Sequence, residues 1–110
     1  MDARKVRAAL YVRVSTEEQA EEGYSLDAQM GRLEKYCEME DWEISGRYFE
    51  EGKSGTTINR PQYAKMMSEM ENWDVILVLK MDRIHRNSVN FANMMRHLEK
   101  NGKNFCSIQE

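Results

Sequence analysis

The sequence predicts an α/β domain with a mostly parallel central sheet of about four strands and helices on both faces. Three observations predict it. Short apolar segments alternate with segments whose apolar residues recur at helical spacing. One of the short segments, "DVILVLK", is a continuous apolar run of the kind buried on both faces of a parallel sheet. The length, 110 residues, holds one core and is too short for two ordinary domains.

Each element has a local reason. Val6 to Val14 reads as a first strand, followed by a Glu-rich loop broken at Gly23. Ser25 is suited to N-cap a helix, with Asp27 in the first turn where the helix dipole favours an acid. Leu26, Met30, Leu33 and Cys37 then recur at helical spacing, giving a helix over about Ser25 to Met39. Trp42 to Phe49 reads as a second strand. Pro61 opens the next helix, where its missing N–H costs nothing, and Tyr63, Met66, Met67 and Met70 form its apolar stripe. "DVILVLK" is the third strand. A helix over about Ser88 to Lys100 turns Phe91, Met94, Met95 and Leu98 inward, and Gly102 stops it. "NFCSIQE" is the last strand, and the absence of a helix beyond it reads as a fragment of a longer protein.

Composition narrows the class. Hydrophobic residues make up 41% and charged residues 32% of the chain, a balance that fits a folded soluble domain. No apolar run approaches the roughly 20 residues of a membrane span, and no signal-peptide pattern opens the chain, so a cytoplasmic protein is expected, with no membrane partner. Cys37 and Cys106 read as reduced, buried thiols. The net charge of −3 is acidic for a nucleic-acid binder, but Arg83 and Arg86 stand close enough to make a local positive pocket.

In a parallel sheet the C-terminal ends of the strands share one edge, where ligands bind. The first strand runs into "RVST", the second into "EEGKSG" and the third into "KMDRIHR". Period-two alternation puts Tyr11, Arg13 and Ser15 on one side of their strand. A serine hydroxyl attacking a phosphodiester loses a proton while negative charge spreads over the non-bridging oxygens, and fixed guanidinium groups stabilise that charge bidentately. Ser15 with Arg13, Arg83 and Arg86 suits this phosphoryl transfer. No carboxylate cage or His/Cys cluster suggests a metal. Structural alternatives stay open: Ser15 capping the loop after its strand, Arg13 bridging to Glu50 or Glu51, Asp82 orienting Arg83 or Arg86, and Ser54 as a turn residue. His85 reads as a partly exposed polar side chain rather than a base, and His97 as a helix residue for which the sequence offers no partner.

"YVRVSTEEQ", "SLDAQ", "EEGKSGTTINRP" and "VILVLKMDRIHRN", in that order, resemble the N-terminal catalytic domain of the serine recombinases, the resolvase/invertase group, over nearly the whole chain. The connection between Gln19 and Ser25, with "EEGKSGTTINRP", is more similar to the large serine integrases and transposases than to the small resolvases. The resemblance implies that Ser15 attacks a DNA phosphodiester to form a 5′-phosphoserine link, and that Arg13, Arg83 and Arg86 hold the phosphate. Asp82 matches the family's active-site aspartate, as general acid or positioning group. Tyr11, Gln19, Gln29, Glu51, Ser54 and Arg60 fall on motif positions that shape the site.

The resemblance also implies double-stranded DNA as substrate, no metal or nucleotide cofactor, a dimer and a synaptic tetramer in the full-length protein, a possible directionality or accessory protein, and a bacterial or phage-encoded setting. Residues 1–110 would be the catalytic domain alone, without the dimerisation helix and DNA-binding domains. Glu50-Glu51-Gly52 stands where the integrase-like pattern has Asp-Glu-Gly, so either acid can fill the acidic slot. The competing readings are a non-catalytic phosphate- or nucleotide-binding module, which lacks the expected glycine-rich loop, and a catalytically dead assembly domain.

Overall fold

The computed structural model describes residues 5–15, 26–52, 61–79 and 88–109. Its elements follow in the order β1 (Arg7–Ser15), α1 (Leu26–Glu40), β2 (Glu43–Gly52), α2 (Pro61–Ser68), a 3₁₀ turn (Met70–Asn72), β3 (Val75–Val78), α3 (Ser88–Lys100) and β4 (Asn104–Ser107). All strand pairs are parallel and the sheet order is β2-β1-β3-β4. The expected α/β architecture is thus found. No helix among the described residues is long and apolar enough to cross a membrane.

Alternation along β1 sorts the core into two layers. Ala8, Leu10 and Val12 face α1, where Met30, Leu33 and Cys37 meet Val75 and Leu77 from β3. Ala9 and Tyr11 face the other way, with Tyr48, Ile76 and Val78, against Met66 of α2 and Met94 and Leu98 of α3. All four residues of β3 are buried, as its unbroken apolar run requires.

Strand β2 carries an irregularity that changes which of its side chains face which layer. The β1–β2 register runs Ala8↔Ile44 and then Ala9↔Gly46, so Ser45 is an extra residue in β2. Ile44 packs in the α1 layer, whereas Tyr48, of the same parity, is buried in the α2/α3 layer. The Ser45 hydroxyl donates to Ala8 O at 3.2 Å. Beyond the irregularity β2 continues to Gly52, three residues further than its apolar content suggests.

Two helices end in the same way. In α3, Gly102 has φ +70°, its N–H reaches Glu99 O and the Lys103 N–H reaches Leu98 O, a Schellman stop that the glycine announces. The same bonds close α1 through Asp41 N to Glu38 O and Trp42 N to Cys37 O, with Asp41 in the left-handed conformation at φ 61°. Tyr36 and Trp42 stack edge to face across this stop at 5.5 Å. Helix α2 ends at Ser68, earlier than the stripe to Met70 implies. The fully buried Trp73 donates its indole N–H to Met66 O at 2.9 Å, and Met70 falls in the 3₁₀ turn instead.

Other differences are small. β4 stops at Ser107 rather than running to the terminus. Cys37 is buried as expected, but Cys106 is only partly so, because β4 is an edge strand; its Sγ lies 3.7 Å from the Tyr36 hydroxyl. That contact, with burial second, pushes the Tyr36 phenol up to about 12. Burial pushes the Cys37 thiol up. At the N-terminal edge, the Arg7 guanidinium grips Asp74 through Nε to Oδ2 at 3.2 Å and NH2 to Oδ1 at 3.0 Å, holding the Asp74 carboxyl below the usual range.

Candidate active site

The sheet order reverses direction between β1 and β3: the chain steps from β1 outward to β2, then returns across β1 to β3 and β4. At such a switch point the crossover helices lie on opposite faces and a crevice opens at the C-terminal strand ends. Among the described residues β1 pairs with β3 through Ala8 to Leu10, while its pairing with β2 runs on to Ser15. Ser15, paired in register with Gly52, ends the strand at that crevice. "KMDRIHR" follows β3 in sequence after Leu79 and lies outside the described residues.

Arg13 is partly buried on β1, beside Glu50 in register. Its Nε is shielded from solvent and has no hydrogen-bond partner among the described residues. A guanidinium N–H desolvated in this way is costly unless an anion completes it. Gln29, buried on α1, donates its Nε2 to Arg13 O at the long distance of 3.5 Å, linking α1 to the β1 backbone at this point.

Glu50 is the only buried charged side chain among the described residues. Its Oε1 accepts from the Tyr11 hydroxyl at 3.1 Å and from Tyr63 N at 3.0 Å, and its Oε2 accepts from Gln62 N at 3.3 Å. A carboxylate from β2 therefore caps the first turn of α2, which begins at Pro61, and meets the positive end of its dipole. Tyr11 is wholly buried beneath this cap, edge-on to Tyr63 at 6.1 Å. The sequence offers Glu50 as a bridge to Arg13 and, beside Glu51, as one of two acids for the acidic slot. That bridge is not formed: the ion pairs among the described residues are Lys5–Asp41, Arg7–Asp74 and Arg47–Glu34.

Of the sequence-derived site residues, the structure brings Tyr11, Arg13 and Gln29 together, with the backbone of Ser15 two residues beyond Arg13. Gln19, Ser54, Arg60, Asp82, Arg83 and Arg86, with the side chains of Ser15 and Glu51, lie outside the described residues, as does His85. His97 is exposed on α3, away from this edge.

The family described as "Resolvase, N terminal domain" matches residues 8–110. The chain belongs to that resolvase family. Similar proteins include serine recombinases and the catalytic domain of an integrase. Gin, a serine recombinase of Escherichia phage Mu, is 30% identical over 101 residues, covering 91% of this chain and 46% of Gin. The crystal structure of the N-terminal catalytic domain of TP901-1 integrase superposes with a TM-score of 0.83 at 38% identity, covering 94% of this chain and 78% of that one. An uncharacterised immunity region protein of Bacillus phage phi105 is 48% identical over 62 residues, 56% of this chain and 76% of that protein. The likeness to an integrase agrees with the integrase-like features of the sequence. The resolvase-family chain spans about half the length of several curated relatives that it matches.

Proposed function

We propose that this resolvase-family domain cleaves and rejoins double-stranded DNA, as the catalytic part of a site-specific recombinase. The observation that supports the reading most is the place of Ser15 at the switch-point end of β1, two residues beyond Arg13, whose Nε is desolvated and has no partner among the described residues. In the proposed reaction Ser15 Oγ attacks the phosphorus, its proton leaves, and the bond from phosphorus to the 3′-oxygen breaks. The 3′-oxygen takes up a proton, and the 5′-phosphate stays on Ser15. Attack by a 3′-hydroxyl on this phosphoserine reverses the step and joins new partners, so the bond energy is kept and no nucleotide cofactor is needed.

Arg13, Arg83 and Arg86 would hold the non-bridging oxygens and stabilise the charge that grows there; losing one such donor typically costs about 3 kcal/mol of barrier. Asp82 would serve the leaving 3′-oxygen as acid or position an arginine. Tyr11, Gln19, Gln29, Glu51, Ser54 and Arg60 would shape the pocket. Strand exchange would take a dimer at each DNA site and a tetramer in synapsis, with an accessory protein for direction, inside a bacterial cell. Residues 1–110 would supply the chemistry, while dimerisation and sequence-specific DNA binding reside elsewhere.

Strand cleavage of DNA carrying the recombination site tests this. Arg13→Ala is expected to slow cleavage by about a hundredfold or more, and Ser15→Ala to abolish it. Cleavage that survives Ser15→Ala would overturn the reading.

A further inference from the structure

Strand pairing puts Glu50 next to Arg13, and oppositely charged neighbours in a half-dry site should close into an ion pair. They do not. The reason is that both Glu50 oxygens already accept hydrogen bonds, Oε1 from Tyr11 and Tyr63 and Oε2 from Gln62. A carboxylate that accepts two backbone amides and a phenol has its charge satisfied, and leaving those donors to reach Arg13 would strand them buried. Two of the three donors belong to the start of α2, so the helix position and the carboxylate position fix each other.

We infer that Glu50 is a positioning residue for Arg13, with the Tyr11 hydroxyl as its latch: Tyr11 and the first amides of α2 hold the carboxylate off the guanidinium, which stays open to a phosphate. This rests on the reading of Arg13 as the phosphate ligand. In this arrangement the effect of Glu50 passes through Arg13. Without the latch, Oε1 keeps only the Tyr63 amide and regains a lone pair with which to compete with the phosphate for Arg13. Without the charge, there is nothing to compete.

Inorganic phosphate titrated into the ¹⁵N-arginine-labelled domain, read at the Arg13 Nε–Hε resonance, tests the inference. Tyr11→Phe should weaken phosphate binding by roughly tenfold, the size of a partly buried ion pair. Glu50→Gln should tighten binding modestly, and the Tyr11→Phe/Glu50→Gln double variant should bind like Glu50→Gln alone. Tyr11→Phe binding as tightly as the parent, or a double variant weaker than Tyr11→Phe, overturns it. A purely structural Glu50 would weaken binding in every background. If Tyr11→Phe proves unfolded by circular dichroism, the sign of the Glu50→Gln effect decides alone, weaker binding counting against the inference. An Arg13 resonance that phosphate leaves unmoved in the parent overturns the phosphate reading itself, a separate and distinguishable result.

Discussion

Replacing Gly46 by alanine tests the packing that aims β2 at the site. A Cβ there would lie 2.9 Å from the Tyr48 hydroxyl oxygen and 3.0 and 3.1 Å from two of its ring carbons, closer than packed atoms tolerate. Tyr48 cannot easily yield, because it is buried and donates to Glu69 Oε1 at 2.6 Å. Overpacking of this kind costs about 1–3 kcal/mol, and a hydrogen bond to a carboxylate lost with the ring is worth about 1.5–3 kcal/mol. Alanine returns about 0.4–1 kcal/mol by restricting the unfolded chain. The expected net loss is about 3 kcal/mol in urea unfolding, with an unchanged m-value. Gly31, exposed within α1, has nothing within 4 Å of its would-be Cβ, so the same substitution there should stabilise by about 0.5–1 kcal/mol. If both variants shift stability in the same direction, the reasoning about the Gly46–Tyr48 contact is refuted.

Three further outcomes are expected. Asp41→Gly should stabilise the domain by about 0.5–1 kcal/mol in thermal unfolding, since the left-handed stop of α1 suits glycine, less a small loss from the exposed Lys5–Asp41 pair. Asp74→Asn should cost stability at pH 7 and progressively less below about pH 4. The folded-state carboxyl titrates below its unfolded value, so its contribution is full above the unfolded range and vanishes as pH falls through the folded one. Cys106→Ala should lower the Tyr36 phenol from about 12 in an ultraviolet pH titration, because the thiol contact is the largest cause of its shift.

Most of the fold was legible because its signals are local. Alternation along β1, the four-residue buried run of β3 and the glycine after α3 each act within a few residues of where they are read. The stop of α1 was less plain, since Asp41 takes a conformation more usual for glycine. The face of β2 could not be read at all: Ile44 and Tyr48 share parity, and only the extra residue at Ser45 turns them to opposite layers. The same gap hid the role of Glu50, whose partners are amides that appear only when Pro61 starts a helix packed against β2. At the site, Arg13 was legible because it interrupts an apolar strand, whereas Tyr11 fits that strand's apolar pattern and was marked by the family motif. The carboxylate that holds Arg13 open is a long-range feature, set by packing between elements.

The central claim is that Ser15 carries the cleaved DNA. Mass mapping of peptides from the protein, trapped with DNA containing its recombination site, measures this directly. The account predicts a 5′-phosphate adduct on the peptide bearing Ser15, absent in Ser15→Ala; an adduct on any other residue, or one joined through the 3′-phosphate, would contradict it.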